Sequence, residues 1–284
     1  MGYILTQIAR FWETMVIGTG EHLSLSVAGI FFFGFPVAFS LSAYVFAILM
    51  TQNIAMWLAV LAAILSSVVV GVVFAIFYRR LSNDSFAVFT FASVLAFIAL
   101  VSSWDSLTGG VLGIPGVPRP AFISSFISLV VFQGIIAVIF LIGEFFILKS
   151  PFGRALQAHK ESKIYLDSLG TNSYHVGSIA IILASLASGV SGLVTIWRIQ
   201  FLDPTLGGIT LLLQVLTIVI IATKPDIGSI IIATLIIVLL PEVLRFFPFP
   251  SSIVGDLRLL FYSISLIFLV NRVSSKYTPE KRFV

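Results

Sequence analysis

The sequence predicts an all-α protein, a polytopic integral membrane helix bundle of about eight to nine transmembrane or re-entrant helices with one cytoplasmic helix set between spans. Three observations predict it. Of the 284 residues, 59% are hydrophobic and 10% charged, with a mean hydropathy of +1.13, whereas soluble domains carry about 25% charged residues. Apolar runs recur from end to end with no polar interval of domain size, so residues 1–284 read as one membrane unit. The basic residues stand between those runs rather than in a patch with interleaved aromatics, which argues for topology signals and against nucleic acid.

In chain order, residues 1–19 carry Gln7, Arg10, Trp12 and Glu13 on a helical pattern. They are either an interfacial helix or an extra span facing protein, with the interfacial placement slightly favoured. They lack a basic start and a small-residue cleavage site, so a cleaved signal is not expected. The run 24–50 is long for one crossing and contains Gly29, Gly34 and Pro36. Proline removes a donor and frees a carbonyl, so the run is read as broken into a re-entrant and a crossing piece, or else as a kinked lipid-facing helix. Runs at 54–78, 84–103, 122–148, 174–196, 207–223, 227–240 and 257–271 supply the remaining spans.

If the loops alternate sides, one side receives eleven basic residues, from Arg79 and Arg80 to the tail at 272–284, and the other receives Arg119, Arg198, Arg245 and Arg258. Basic residues are retained in the cytoplasm, which places loop 150–173 and the C-terminal tail inside a cell membrane. The loop 104–121 then lies outside. Its Gly109, Gly110 and Gly113 would let backbone approach a ligand or docking protein, with Ser106 and Thr108 offering hydroxyls; a plain connecting turn is the alternative.

The interval 150–177 is the one long polar segment inside the chain. From Gly153 to Leu169 it favours an amphipathic helix bounded by Pro151 and Gly170, either docking into a partner's groove or resting on headgroups. Within the spans, Glu144 is the sharpest ionisable residue. It stands about one and a half turns from the boundary, within reach of headgroups or a nearby Lys or Arg, and a proton relay is its other reading. The small residues Ser185, Ser188, Gly189 and Gly192 give one helix a smooth packing face. With no fixed charge expected at mid-membrane, the path suits a small neutral or zwitterionic solute.

There are no cysteines, so disulfides, thiolate zinc sites and cysteine nucleophiles are excluded. The three histidines are scattered, and HExxH, GxSxG and GxxxxGK[ST] patterns are absent, which leaves no metal site and no nucleotide site to expect in this chain.

Four stretches resemble the permease subunits of ATP-binding cassette importers of the Liv type, which serve branched-chain amino acids and include urea and amide relatives. They are GTGEHLSLSVAGIFFFG from Gly18, LTGGVLGIPGVP from Leu107, SPFGRALQAHKESKIYLDSLGTNSYHVG from Ser150, and LLPEVLRFF from Leu239 with the GDLRLLFYSISLIFLV that follows. The resemblance implies that Gln157, Ala158, His159, Lys160, Glu161 and Ser162 centre a coupling helix seated on a cytoplasmic ATPase, supported by Arg154. It implies that Thr108, Gly109 and Gly110 lie near the extracytoplasmic entrance and Ser24 near the translocation path. The expected partners are ATP-binding subunits, a second permease that is either a sister or a copy, an extracytoplasmic solute-binding protein and lipid. ATP is expected to be used by the partners, with no cofactor held by this chain and no enzyme chemistry of its own. An ion-coupled secondary transporter using Glu144, and an integral scaffold without transport, are the alternatives. Where the family carries a glycine-rich turn, this chain has Thr223, Lys224, Pro225 and Asp226.

Overall fold

The computed structural model describes residues 2–121, 123, 125–244, 259–260 and 262–264, side chains of 240–244 excepted. The expected final span at 257–271 and the tail at 272–284 lie largely or wholly outside the described residues, as do Arg245 and Arg258. The chain is helical almost throughout: α1 (Gly2–Glu21), a π-helical turn (His22–Val27), α2 (Phe35–Thr51), α3 (Met56–Tyr78), α4 (Asn83–Ser103) and the short α5 (Asp105–Thr108). After strand β1 (Ile114–Pro115) come α6 (Phe126–Lys149), α7 (Pro151–Glu161), α8 (Lys163–Ser168), α9 (Ser173–Ile199), β2 (Phe201–Leu202), α10 (Ile209–Ile221) and α11 (Ile227–Leu244). The two strands pair antiparallel, Ile114 opposite Leu202.

Helix α9 is the axis, packed against α1, α2 and α3. The stripe Ala59, Ala63, Ser67 and Gly71 on α3 repeats every four residues, so its small side chains share one face and let the α9 backbone come close. A methyl at Gly189 would strike Ser67, and one at Gly71 would stand 2.9 Å from Ser185 Cβ. The outer faces of α3 and α6 expose Leu61, Leu65, Val69, Ile135, Ile139 and Phe146, which lipid covers in a spanning bundle. Helices α3, α4, α6 and α9 are long and apolar enough to cross a membrane; α2, α10 and α11 are shorter apolar helices.

Two expectations need correction here. Residues 1–19 are not an interfacial helix, because every residue of α1 from Glu13 to Glu21 is buried, whereas a helix on headgroups keeps one face in water. Its glycines make that placement feasible, since a methyl at Gly20 would meet Ala187 Cβ at 2.7 Å. The polar helix expected over 153–169 is two helices. Ser162 adopts an extended conformation between them and its hydroxyl accepts from Tyr165 N–H, capping α8. The stops at Pro151 and Gly170 (φ +80°) stand where expected. The run 24–50 is broken, with the π-helical turn and an irregular stretch at 28–34 preceding α2, whose first turn carries Pro36.

Candidate functional site: a helix seat and a charged cavity along α1

Two polar regions lie along α1, one where it ends and one about its middle. The first is where α1 runs into its π-helical turn, on the side of the bundle that carries α7 and the 222–226 turn. A π turn leaves backbone carbonyls displaced from the α-helical ladder, and here side chains from distant helices collect them. Lys160 Nζ donates to Ser26 O at 2.7 Å, and His159 Nδ1 donates to Ala28 O at 2.7 Å. That carbonyl can only accept, so Nδ1 carries the proton and His159 Nε2 accepts from Tyr78 Oη at 2.8 Å. His159 is 3% exposed, and burial holds its imidazole below the ordinary range. Burial also lowers Lys160 and Lys163; the latter donates to Asn83 Oδ1 at 2.7 Å and stands over the Tyr78 ring. Gly29, at φ +69°, lies directly under Lys160, where a methyl would come within 2.9 Å of its Cγ.

One turn back, His22 pairs through Nδ1 with Glu144 Oε1, both groups fully withdrawn from solvent. His22 Nε2 donates to Lys224 O at 2.9 Å, and Ser26 Oγ donates to Val219 O at 2.6 Å. The 222–226 turn is held by Asp226, whose carboxylate accepts from Ser229 N–H at 2.6 Å. Glu144 therefore reaches neither headgroups nor a Lys or Arg. Its partner is a histidine 122 positions earlier, a pairing that spacing along α6 could not reveal.

The second region is a cavity of about 540 Å³ between α1, α2, α9 and α10, toward the end of the bundle opposite α7. Glu13 and Arg198 stand in its wall, Arg198 donating from Nε to Oε1 at 2.7 Å and from Nη2 to Oε2 at 2.9 Å. Gln133 Nε2 donates to the same Oε1 at 2.8 Å. Arg10, Gln214 and Thr210 line it as well, with Ile17, Phe39 and Leu211 supplying apolar wall. The expectation that no fixed charge stands within the bundle did not take in this pair. Glu13 was hidden by the interfacial reading of 1–19, and Arg198 by its position at a span end.

The expected site residues do not form one site. Arg154, Glu161 and Ser162 are exposed on α7 and just after it; Gln157 and Ala158 are half-buried, and Gln157 lines a cleft of about 280 Å³ with Ser26, Lys160 and Thr223. His159 and the Lys160 ammonium, expected to face a partner, are instead spent on this chain's own backbone at Ala28 and Ser26. Ser24 is buried and donates to Glu21 Oε2 at 2.9 Å. Thr108 is buried too, its hydroxyl donating to Val101 O at 2.6 Å to close the end of α4. Gly109 (φ +73°) and Gly110 (φ +56°) serve the tight turn that follows, where a side chain would strike Gly113 O and Asp105 respectively. The loop is thus an ordered cap tied to β2, and none of Ser24, Thr108, Gly109 and Gly110 lines the large cavity. What sequence reasoning missed is that Glu13, Arg198 and the in-span polar residue Gln133 come together. The available signal was the coincidence of an acid and a base, each at a helical position with no other role.

A family model described as branched-chain amino acid transport system, permease component, matches residues 3–270. The high-affinity branched-chain amino acid transport system permease protein LivM of Escherichia coli K12 is 23% identical over 263 residues. LivM of Salmonella typhimurium LT2 is likewise 23% identical. Each match covers 82% of this chain and 61% of the relative, so the chain spans about three-fifths of the length of these relatives. No solved structure matches the chain.

Proposed function

The chain belongs to the family of branched-chain amino acid transport system permease components, and from that premise we propose that it is the membrane subunit of an ATP-binding cassette importer. It forms the path of a small neutral or zwitterionic solute, branched-chain amino acids first. ATP is bound and hydrolysed by separate cytoplasmic subunits, a second permease completes the membrane part, and an extracytoplasmic binding protein delivers the solute. The α7 face lies in the cytoplasm, with the C-terminal tail, by the asymmetry of basic residues.

The observation that carries the reading is the seat of α7. Its exposed side, with Arg154 and Glu161, is available to a partner, while the buried His159 and the ammonium of Lys160 grip the hinge of α1. A partner that pulls on α7 therefore pulls on the break between α1 and α2. ATP shifts the bundle between two arrangements only if the ATPase dimer binds them with different affinity, and α7 is where that difference is felt.

The complete complex in proteoliposomes is expected to take up L-leucine only with ATP and the ATPase subunits. Arg154→Glu with Glu161→Lys should leave insertion intact while ATP hydrolysis continues without uptake. The buried His22–Glu144 pair is the feature an ion-coupled carrier would use. Uptake driven by a proton gradient without the ATPase would overturn the importer reading.

A further inference from the structure

We propose that the cavity between α1, α2, α9 and α10 is a binding site for the zwitterionic head of a free α-amino acid, with the Glu13–Arg198 pair as its recognition element. The inference rests on the permease reading and adds where the solute is held and what part of it is read.

The argument begins with unused hydrogen-bonding capacity. Arg198 spends Nε and Nη2 on Glu13, and its Nη1 has no hydrogen-bond partner among the described residues. Glu13 Oε1 accepts from both Gln133 and Arg198, whereas among the described residues Oε2 accepts from Arg198 alone, which leaves it a further lone pair. A donor site and an acceptor site thus stand side by side in the cavity wall. A guest's carboxylate fits the first and its ammonium the second.

Charge balance then selects the class of guest. Glu13 and Arg198 neutralise one another, and their side chains are 7% and 13% exposed. Adding a lone anion or cation beside a closed pair leaves one charge in the wall without a counter-charge. Adding a zwitterion brings both signs at once and lengthens the pair into a four-charge array. Arg10 also lines the cavity, but it is exposed, so its charge is screened. Ile17 and Phe39, both buried, and Leu211 give an aliphatic side chain a dry surface within the same space. At about 540 Å³ the cavity falls in the range of small-molecule sites.

The chain's lack of cysteine gives a direct test. Thr210 is exposed in the cavity wall, so Thr210→Cys introduces a lone thiol there with little change in volume. In the assembled transporter, a hydrophilic thiosulfonate should label that thiol. Saturating L-leucine should slow labelling at least five-fold, while 4-methylpentanoate, 3-methylbutylamine and urea should not. Arg198→Lys in the same background should raise the half-protecting leucine concentration ten-fold or more, because lysine cannot serve Glu13 and a carboxylate through separate nitrogens. An unreactive thiol, equal labelling with and without leucine, or equal protection by the single-charge analogues would overturn the site. ATP-driven leucine uptake by the same vesicles separates the two readings. Uptake without protection sinks the site alone, and protection without ATP-driven uptake sinks the importer reading alone.

Discussion

The two polar regions along α1 each bury an acid against a base, yet they are built oppositely. At the π-helical end, His22, His159 and Lys160 direct donors at a carboxylate and at carbonyls of this chain, and the pair His22–Glu144 is sealed from solvent, with Glu144 Oε2 left without a hydrogen-bond partner among the described residues. In the other region, Glu13 and Arg198 hold each other but open onto a cavity with bonding capacity left over. One region is fastened and the other is kept accessible. Both arrangements obey one rule, because an ionisable group in hydrocarbon is tolerated only when paired or lining water.

The comparison breaks most directly at the pairs themselves. Glu144→Ala removes one partner of a sealed pair and leaves a buried imidazole without it, a loss of about 3–5 kcal/mol. Glu13→Ala should cost less, since water in the cavity can hydrate the abandoned guanidinium. Resistance to unfolding by dodecyl sulfate in mixed micelles would rank the two, and an equal or reversed order would show that the cavity is no wetter than the seat.

Glycine substitutions sharpen the contrast at the α7 seat. Gly29→Ala forces a side chain into a left-handed conformation, a cost of about 1–2 kcal/mol, and also crowds Lys160. Gly170, at φ +80° with open space around it, carries the backbone cost alone. Gly29→Ala should therefore lower the unfolding midpoint more than Gly170→Ala, and it alone should reduce the uptake obtained per ATP hydrolysed.

Much of the architecture was legible because hydrocarbon imposes a length. Helices α3, α4, α6 and α9 fall within a few residues of the apolar runs that foretold them, and Gly29 and Pro36 foretold the break before α2. Helix α1 was misread because its polar residues, which lower its apolar score, are satisfied by Gln133 and Arg198 more than a hundred positions away. The segment 150–173 was legible as a polar helical stub, but not the side it turns inward. The amphipathic pattern marked a buried face on α7 without saying that His159 belongs to it or that the exposed Lys160 reaches back to Ser26 O. Thr108 was misjudged for a related reason, since a hydroxyl near a helix end bonds its own backbone as readily as a solute.

The smallest expected effect is a pH dependence confined to the fastened end. His159 is held neutral by burial, which outweighs the Ala28 carbonyl it bonds; Lys163 acts with burial and Asp167 against it, and Tyr78 and Lys160 also stand about the ring. Its folded pKa lies below the unfolded value near 6.5. Above about 6.5 both states leave the ring neutral and its contribution is fully present. As pH falls below that, the unfolded chain takes up a proton that the folded chain refuses, and stability is lost until the folded pKa is reached. Comparing the unfolding midpoints of the native chain and His159→Gln at pH 8 and pH 5.5 isolates this term from every other titrating group. The native chain should lose about 2 °C more than the variant over that interval. An identical loss in both would mean that the His159 ring exchanges its proton as freely in the folded chain as in the unfolded one, and that α7 is seated by Lys160 and packing rather than by a neutral imidazole.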